Sequence, residues 1–428
     1  MSKESAILII GAGVFGLSTA LELTQRGYQN VTVLDRYLPP VQDGSSVDIS
    51  RIIRADYADD VYARIASEAM ELWKTKHSHA FHPTNFVMFS ETTDNPYMIK
   101  TKENLSHHGI PFEVIAGNED VQRTNPSLKA AGGDYSKLNG YTNPVGGWAN
   151  AAGAVQALAR ECSLAGVSFI VGKRGTVTSL RIEEGKIVGV NVAAGPWIAA
   201  SKVILSAGAW SCRLVDLSKN SISTGQPVGF IQLTDEEAAE LADLPVIINM
   251  STGWFCFPPD PVTKQLKCAR HGFGYTTEVA PDYGMAQDGQ SKVSAPPRDK
   301  SSSVYSFIPA DAETALRTGL RQFYPKLADR PWSNTRLCWY TDTPTGDFII
   351  DEHPRLENLF LATGGAGHGF KFMPVLGKYI ADCFENKASQ EMREKWRFRP
   401  VESVDMRGDG SRGGPDRRPL TAVEVARL

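Results

Sequence analysis

Two short segments of this sequence carry side chains whose types and spacing suit covalent or ionic chemistry. Cys338 lies in Arg-Leu-Cys-Trp-Tyr-Thr, residues 336–341, and a cysteine thiolate is a strong nucleophile that can add to an electron-poor carbon. A single cysteine between apolar neighbours is more often an inert buried thiol, so Cys338 alone decides nothing. Arg51 and Arg54 enclose two isoleucines, which suggests guanidinium groups held against a buried surface and able to pair with a carboxylate. The alternative is a surface salt bridge.

The amino end carries the pattern of a dinucleotide site. Residues 6–10 form an apolar run that predicts a strand buried on both faces, and Gly-Ala-Gly-Val-Phe-Gly follows it at once. In this spacing Gly11 permits a tight turn, Gly13 allows the backbone to approach a pyrophosphate, and Gly16 allows helix and strand to pack closely. The helix that begins here is predicted to stop at Gly27, and its amide dipoles point at the phosphates.

A second predicted strand completes this unit and ends on a carboxylate. Residues 31–34 lead into Asp35, 19 residues after Gly16, where the side chain can accept hydrogen bonds from both ribose hydroxyls. A glycine triplet alone is a weak signal, and its alternative is an ordinary strand-to-helix turn. Strand, glycines, helix, strand and terminal acid together predict a bound dinucleotide.

The glycine fingerprint does not distinguish flavin from nicotinamide, but the positions of the relevant segments along the chain favour flavin. Flavoproteins of this architecture commonly begin close to the amino terminus and return late in the chain to close the flavin site. Residues 202–210 and 359–367 are two such returns, because each is an apolar strand that opens into small residues. A helix is predicted after the second return, over about residues 373–385.

Several segments resemble the sarcosine oxidase and amadoriase family of FAD-dependent amine oxidases, which also includes pipecolate and saccharopine oxidases. The Cys338 segment and Gly-His-Gly-Phe-Lys-Phe, residues 367–372, resemble the flavin-bearing segments of that family. The resemblance covers nearly the whole chain. It implies FAD bonded covalently to Cys338 through the 8α carbon of the flavin. It also implies an α/β fold of the glutathione reductase and D-amino acid oxidase type, with a Rossmann-like FAD-binding domain interleaved with a mixed α+β substrate domain.

The same resemblance implies roles for individual residues. Arg54 and Lys371 would bind the substrate carboxylate, and Arg51 would lie beside the flavin ring. Lys267 would place an ammonium where superoxide develops during oxygen reduction. His271 and Tyr340 would line the substrate cavity. The residues expected at the cofactor are Gly11, Gly13, Val14, Phe15, Gly16, Asp35, Arg36, Ser45, Ser46, Arg51, Cys338, Gly365, Gly367, His368, Gly369, Phe370 and Lys371. Without the resemblance, Lys267 would be an exposed strand lysine and His271 a structural histidine.

The order of these segments predicts two domains that alternate along the chain. Residues 1–83, 146–218 and 333–400 are assigned to the FAD-binding domain, residues 84–145 and 219–332 to the substrate domain, and residues 401–428 to a tail. In the substrate domain we predict strands at 85–89 and 253–257, with helices near 97–108 and 311–323. The tail is rich in glycine and charge and has little to bury, although it resembles the late Gly-Gly-Pro segment of amadoriases.

Composition excludes several other classes of function. A chain of 428 residues, 42% of them hydrophobic, exceeds the size at which single cores usually split. A net charge of -3 disfavours nucleic acid as a partner. No apolar run approaches the ~18 residues of a membrane span, and the first residues lack the build of a secretory signal. Six cysteines without a Cys-x-x-Cys pair indicate a reducing compartment, and the spacing of the histidines predicts no metal site.

The predicted reaction is oxidation of an amino acid that carries a secondary amine. The amine binds neutral, gives a hydride equivalent to the flavin and becomes an imine that water hydrolyses, while O2 becomes H2O2. Fructosyl-amine oxidases of this family carry a glutamate four residues after the oxygen-site lysine, where this chain has His271. They also tend to lack the arginine matched by Arg54. These differences favour an N-methyl, N-alkyl or cyclic amino acid.

Alternatives to this reaction remain at this stage. One is a fructosyl amino acid oxidase, which the amadoriase-like tail favours. Another is a flavin dehydrogenase with an acceptor other than O2, and a third is a flavoprotein without amine turnover. The set of Arg54, Lys267, Cys338 and Lys371 speaks against the third. The resemblance further implies a monomer that acts on a small molecule.

The last three residues predict a targeting signal. Ala426-Arg427-Leu428 is a looser form of the Ser-Lys-Leu peroxisomal signal, and a peroxide-producing oxidase suits a compartment rich in catalase. The preceding charged segment is expected to be flexible and to leave these residues accessible. The alternative is an ordinary tail on a cytoplasmic protein.

Overall fold

The computed structural model describes residues 1–283, 291–296, 307–399 and 406–428. Its strands, in chain order, are β1 (Ile7–Ile10), β2 (Val31–Leu34), β3 (Arg51–Ile53), β4 (Phe81–Pro83), β5 (Phe86–Ser90), β6 (Glu113–Ala116), β7 (Asn139–Asn143), β8 (Gly147–Ala149), β9 (Ser168–Ile170), β10 (Val177–Glu183), β11 (Lys186–Val192), β12 (Ile198–Ala199), β13 (Lys202–Leu205), β14 (Ile222–Gln232), β15 (Val246–Asn249), β16 (Trp254–Cys256), β17 (Gln265–Arg270), β18 (Tyr275–Thr276), β19 (Asn334–Asp342), β20 (Ile349–Glu352), β21 (Leu359–Thr363) and β22 (Arg418–Pro419).

The helices in the described residues connect and cover these strands. They are α1 (Val14–Gln25), α2 (Asp60–Lys74), α3 (Pro96–His107), α4 (Gly117–Thr124), α5 (Pro126–Ala131), α6 (Ala151–Leu164), α7 (Ser211–Leu214), α8 (Asp235–Glu240), α9 (Ala310–Phe323), α10 (Met373–Phe384), α11 (Gln390–Trp396) and α12 (Ala422–Ala426). A short 3-10 helix, Gly369–Phe372, precedes α10. The helices predicted near residues 97–108 and 311–323 correspond to α3 and α9.

The first sheet has the order β20-β21-β13-β1-β2-β9. All neighbours pair in parallel except β20, which is antiparallel to β21. β1 is buried at each of its four positions, as its unbroken apolar run predicts for a strand covered on both faces. The carboxyl ends of β1, β2, β13 and β21 lie at one edge. In parallel sheets of this kind, ligands bind outside that edge.

Helices cover one face of this sheet and a small meander covers the other. On the first face α1 packs against α6 and α10 in a core that includes Leu17, Leu158 and Leu376. On the second face Val177, Ile187 and other residues of the sheet β10-β11-β12 pack against the strands. The two layers hold the strand ends in place from both sides.

The second sheet is long and mixed, with the order β22-β18-β14-β17-β16-β15-β5-β7-β6, and β19 also pairs with β14. Helix α9 covers it through Leu316, Leu320 and Phe323. Strand β14 pairs with β17 on one side and β19 on the other, with Phe230 opposite Lys267 and Gln226 opposite Cys338. The lysine and cysteine singled out in the sequence therefore lie on two strands that share one neighbour.

The two sheets follow the proposed division of the chain with two exceptions, β19 and β22, which belong to the second sheet but lie outside the segments assigned to the substrate domain. Every strand of the first sheet falls within the segments assigned to FAD binding. Strand β19 falls within the same segments but belongs to the second sheet, because nine of its residues pair with β14. The division into domains stays a prediction.

The tail is more ordered than its composition predicts. Arg418 forms ion pairs with Asp311 and Glu424, and β22 pairs with β18. A capping box between Thr421 and Glu424 starts α12. Leu428 is partly buried against the core of the second sheet, whereas Ala426 and Arg427 are exposed, so the accessibility of this end stays a prediction. Among the helices of the described ranges, none is both long and apolar enough to cross a bilayer.

Candidate active site

A single cavity runs along the carboxyl edge of the first sheet, and the glycines of the fingerprint form one end of it. Gly11 has φ of 109°, and a Cβ there would lie 2.4 Å from the carbonyl oxygen of Ser206. At Gly16 a Cβ would lie 1.9 Å from the Gly11 carbonyl oxygen. Only glycine fits these two positions, because the turn and α1 approach the neighbouring backbone too closely for a side chain.

The end of β2 supplies the polar groups at this part of the cavity. Asp35 Oδ2 accepts from the Ala12 amide at 2.7 Å and Oδ1 from the Arg36 amide at 2.6 Å. Burial raises the pKa of Asp35, although these amides and the charge of Arg36 act against that. The Arg36 guanidinium bonds Asp43 and lies 4.6 Å from the Trp210 ring. A carboxylate fixed at the end of β2 matches the position that binds a ribose.

The loop before β3 closes over the start of α1. Ser46 Oγ accepts from the Val14 amide at 3.0 Å, and Gly13 approaches the same hydroxyl so closely that a Cβ would lie 2.9 Å from it. Ser45 contributes its carbonyl oxygen to the Arg51 guanidinium at 2.8 Å. Ser45, Ser46, Gly13 and Val14 all line the cavity.

The segment that follows β21, residues 365–371, forms the opposite wall of the cavity. Gly365, Gly367, His368, Gly369, Phe370 and Lys371 all line the cavity. A Cβ at Gly367 would lie 2.4 Å from the Tyr340 ring, and one at Gly369 would lie 2.8 Å from the Phe15 ring. Both glycines keep these aromatic rings close to the wall. Together with the fingerprint and Asp35, this wall encloses a cradle that has the groups a dinucleotide requires.

Beyond this cradle the cavity continues into a pocket with two buried cations. Arg54 and Lys371 both line it. Both lie near the ring of Tyr57, whose centroid is 5.2 Å from Arg54 Cζ and 5.1 Å from Lys371 Nζ. Lys371 Nζ donates to Tyr57 Oη at 2.8 Å and to the His368 carbonyl oxygen at 3.0 Å. Burial and the charge of Arg54 hold the pKa of Lys371 well below its usual range.

Two polar atoms of this pocket are buried without a hydrogen-bond partner among the described residues. They are Arg54 Nη1 and Tyr97 Oη. Burial raises the pKa of Tyr97 to about 12, so its phenol is protonated at neutral pH, although the charge of Arg54 acts against the rise. Leaving a buried donor unpaired costs about 1–3 kcal/mol, and more for a charged group. The pair is therefore arranged to receive an anionic group from a ligand.

His368 connects this pocket to the loop after β19. Its Nδ1 lies 3.0 Å from Tyr57 Oη and its Nε2 lies 2.7 Å from the Gly346 carbonyl oxygen. Burial, together with the charge of Lys371, lowers the pKa of His368 to about 3. The imidazole is therefore neutral and fixes the rim of the pocket by hydrogen bonds.

A buried cluster of charges lies behind Arg51. Asp48 is the anion at its centre and bonds Lys267 at 2.7 Å, Arg336 at 2.8 Å, and Arg51 as well. Lys267 Nζ also donates to the Ser50 carbonyl oxygen at 2.6 Å. These partners lower the pKa of Asp48 against a burial effect that would raise it, with the charge of Lys267 contributing most.

Arg51 joins this cluster to the cavity and to the candidate nucleophile. Its guanidinium lines the cavity and lies 3.5 Å from Cys338 Sγ. Cys338 is buried in a small apolar cluster with Val228, Phe230 and Ala269. Neither Lys267 nor Cys338 is among the described residues that line the cavity; both lie one layer behind it, next to Arg51.

His271 and Tyr340 line the remaining side of the pocket, with ring centroids 6.0 Å apart. Burial and nearby cations, above all Arg412, hold the pKa of His271 well below its usual range. His271 Nε2 lies 3.2 Å from Ser411 Oγ, which donates to Asp409 Oδ1 at 2.6 Å. Because that hydroxyl proton is directed at Asp409, Ser411 accepts from a protonated Nε2 of His271.

The structure thus brings most of the residues predicted from the sequence to one cavity. Arg51, Arg54, His271, Tyr340, Lys371 and the expected cofactor residues other than Gly16 and Cys338 line it. Five further residues of the site were not predicted from the sequence: Asp48, Tyr57, Tyr97, Asp409 and Ser411. Of these, only Asp48 could have been found from the sequence, because an acid three residues before Arg51 can form an ion pair with it. In the described ranges, no group of three or more His, Cys, Asp or Glu side chains is placed to hold a metal ion.

Comparison with known proteins gives the family. Residues 6–383 match the family of FAD dependent oxidoreductases. The chain belongs to this family. It is 32% identical to L-saccharopine oxidase of Schizosaccharomyces pombe over 408 residues. The aligned region covers 92% of this chain and 93% of the relative. It is 26% identical to human peroxisomal sarcosine oxidase, over 87% of this chain and 90% of the relative.

Solved structures agree with this assignment. The structure of Amadoriase I from Aspergillus fumigatus, a fructosyl amine:oxygen oxidoreductase, is similar with a TM-score of 0.85 at 33% identity, over 97% of this chain and 95% of that one. The predicted resemblance and fold class are confirmed. This chain is an FAD-dependent oxidoreductase, and the cradle at the edge of the first sheet has the groups to hold FAD: the glycine turn, the start of α1 and the Asp35 carboxylate.

Proposed function

We propose that this FAD-dependent oxidoreductase oxidises a secondary amino acid, with an N-methyl, N-alkyl or cyclic amine, to an imine and reduces O2 to H2O2. The observation that carries the proposal is the buried, unpaired Arg54 Nη1 in the same cavity as the cofactor cradle. No described carboxylate bonds this guanidinium directly, although the charge of Asp56 acts on it, and a substrate carboxylate would supply a direct partner in a geometry that suits it. The names of the relatives support an amine of this class.

The pocket residues would orient the substrate. Arg54 and Lys371 would hold its carboxylate, with Tyr97 Oη as a further donor. Tyr57 separates the two cations and bonds Lys371, so it would fix the distance between them. His271 is neutral, and the ring of Tyr340 lies next to it on the same side of the pocket. This arrangement would place the amine near the wall formed by Gly365 and Gly367.

FAD, when bound, would accept a hydride equivalent from the carbon next to the amine nitrogen. The low pKa of Lys371 and the neutral His271 favour a substrate amine that binds without its proton, because further cations in this pocket are costly. A protein base that abstracts a proton is then not required. Water would then add to the imine carbon and hydrolyse the C=N bond.

Lys267 and Arg51 would act in the oxygen reaction. Asp48 neutralises one of the three cations that contact it, so the cluster keeps positive charge beside the cavity. A fixed positive charge stabilises superoxide as it forms. Lys267 lies behind Arg51 and Phe257, and its Nζ is 4.7 Å from the Phe257 ring. Its influence would therefore act through this cluster.

We also propose that FAD is attached to Cys338 Sγ. Its sulfur lies 3.5 Å from the guanidinium of Arg51, a residue that lines the cavity beside the cofactor cradle. Thioether formation removes one hydrogen from the thiol and one from the 8α methyl group, and O2 takes up both as H2O2.

A fructosyl amino acid is the second candidate substrate. The similarity to Amadoriase I and the packing of Gly413 and Gly414 against the site favour it. His271, placed between Tyr340 and Ser411, disfavours it because the family's sugar-binding glutamate is absent there. A screen of N-methyl, cyclic and glycated amino acids for H2O2 formation in air tests both candidates. Oxidation of only glycated compounds would favour the second, and flavin reduction without peroxide would indicate a different electron acceptor.

A peroxisomal location is proposed for this oxidase. The likeness to human peroxisomal sarcosine oxidase supports it, as does the carboxyl-terminal Ala426-Arg427-Leu428. Arg427 lies 4.4 Å from the Phe307 ring and Leu428 is partly buried, so a receptor would have to draw these residues away from the surface. Expression of the full chain with an amino-terminal fluorescent reporter, with and without Leu428, tests the address. Diffuse signal from the complete fusion would contradict it.

A further inference from the structure

The carboxyl-terminal tail contributes side chains to the substrate pocket. Asp409 and Ser411 line the same cavity as Arg54 and Lys371. The tail is held there by Arg412, whose guanidinium pairs with Asp342 and donates to the Gly272 and Ala366 carbonyl oxygens, each at 2.9 Å. The Gly413 amide donates to the His271 carbonyl oxygen at 3.2 Å. Asp409 is thus presented to the pocket by a segment fixed on both sheets.

Only one oxygen of the Asp409 carboxylate is engaged. Oδ1 accepts from the Ser411 amide at 3.1 Å and from its hydroxyl at 2.6 Å. Oδ2 has no hydrogen-bond partner among the residues that the structure describes, and Asp409 is exposed. These two bonds to Ser411 orient the carboxylate and leave a free anionic oxygen toward the cavity. Ser411 in turn bonds His271, which couples the carboxylate to the wall of the pocket.

The pocket therefore has charges of both signs. The buried Arg54 and Lys371 form the cationic part, which the proposed function assigns to the substrate carboxylate. The charge of Asp409 reaches this part, because it acts to raise the pKa of Lys371, as Asp56 also does, against burial and the charge of Arg54. A carboxylate such as Asp409, placed near the residues that would bind the substrate carboxylate, repels a second carboxylate of the substrate and attracts a cationic group.

Asp409 is an unsuitable partner for the amine that is oxidised. That amine must lie deep in the cavity next to the cofactor wall, and it reacts in its neutral form. Asp409 is exposed, whereas Lys371 and Gly369 are buried. An ammonium bound by Asp409 would instead belong to a part of the substrate that extends toward the mouth of the pocket.

We propose that Asp409 binds a second, cationic group of the substrate, so that the preferred substrate is an N-substituted basic amino acid carrying a distal ammonium or guanidinium. This inference rests on the proposed function and narrows its substrate class. Arg54 and Lys371 bind the carboxylate at one end, the secondary amine lies at the cofactor, and Asp409 Oδ2 accepts from the distal cation. A charge-assisted hydrogen bond of this kind changes affinity by roughly 10-fold or more.

The test compares two substrates that differ only in the distal charge. Nα-methyl-lysine and Nα-methyl-norleucine have the same backbone and nearly the same chain length. With the wild-type holoenzyme, kcat/KM should be roughly 10-fold higher for the lysine derivative. Asp409→Asn keeps the bonds to Ser411 but removes the charge, and should bring this ratio close to one, mainly through KM. Asp409→Lys should lower it further.

Asp416→Asn is the matched control, because Asp416 is in the same tail, pairs with Arg407 and is outside the cavity lining. The ratio in this variant should equal that of the wild type. A wild-type ratio near one, or a ratio that Asp409→Asn leaves unchanged, would overturn the inference while the amine oxidase function stands. Absence of peroxide and of flavin reduction with every N-methyl, cyclic and glycated amino acid would instead reject the proposed function, and this inference with it.

Discussion

Lys267 Nζ lies 2.7 Å from Asp48 Oδ2, and both side chains are 1% exposed. Arg51 and Arg336 bond the same carboxylate, so one anion faces three cations in the interior. Burying charge is costly, and the partial compensation here leaves positive charge where the cofactor's reactive end is expected. This surplus is a reason to assign the cluster to the reduction of oxygen, in which negative charge develops.

The first prediction concerns the two halves of the catalytic cycle. Lys267→Met should slow reoxidation of the reduced enzyme by O2 by roughly 10²-fold or more, because a charge that stabilises superoxide is lost. Reduction by substrate should change much less. Stopped-flow spectroscopy measures the two steps separately. Slow reduction combined with normal reoxidation would contradict the assigned role.

The second prediction is a pH dependence of reoxidation. Burial lowers the pKa of Lys267 to about 7, with Arg51 and Arg336 acting in the same direction and Asp48 opposing them. The ammonium is present below this pH and is lost above it, so the rate constant with O2 should fall as pH rises through about 7. Lys267→Arg should remove this step between roughly pH 6 and 9, because arginine stays charged. A wild-type rate that is constant or rises over this range would contradict the prediction.

The third prediction concerns recognition of the substrate carboxylate. Arg54→Ala should weaken binding of N-methyl amino acids by about 2–5 kcal/mol, because it removes a buried charge partner. Binding of the corresponding N-methyl amines, which lack the carboxylate, serves as the control and should change little. KM values and flavin content of the purified variants provide the comparison. Equal losses for both ligand types would assign Arg54 to the fold or to FAD.

The cofactor end of the site could be predicted from the sequence, because its determinants are local. Gly11, Gly16 and Asp35 belong to one strand-helix-strand unit, in which the two glycines make the close backbone approaches that the pattern predicts and Asp35 follows directly after β2. The late glycines of residues 365–369 were also recognisable, since they follow an apolar strand. Patterns of this kind are carried by neighbours in sequence, so no tertiary information is needed.

The substrate end could be predicted only in part, because tertiary contacts determine it. Asp48 reaches Lys267 across 219 positions of sequence, and the pairing of β14 with both β17 and β19 brings Lys267 and Arg336 to the same carboxylate. Tyr97 lies in the first turn of α3, and nothing in the sequence of that helix indicates a place at the site. Asp409 looked like part of a tail with little to bury, and its place at the pocket depends on the ion pair between Arg412 and Asp342.

The fourth prediction is a permanent bond to the cofactor. Wild-type protein precipitated with acid should give a yellow pellet, since a thioether to Cys338 survives denaturation. Cys338→Ala should release its flavin into the supernatant. Cys268→Ala is the control, because Cys268 is a buried thiol on the neighbouring β17 and should leave the pellet yellow. A colourless wild-type pellet would end the attachment proposal.

Anaerobic mixing of the holoenzyme with secondary amino acids tests the central proposal most directly. An N-methyl or cyclic amino acid should bleach the visible absorption of the flavin without O2, and admission of air should restore it with one H2O2 formed per amine oxidised. Failure of every N-methyl, cyclic and glycated amino acid to bleach the flavin would contradict the assignment as an amine oxidase. Bleaching that air does not reverse with release of peroxide would contradict the role of O2.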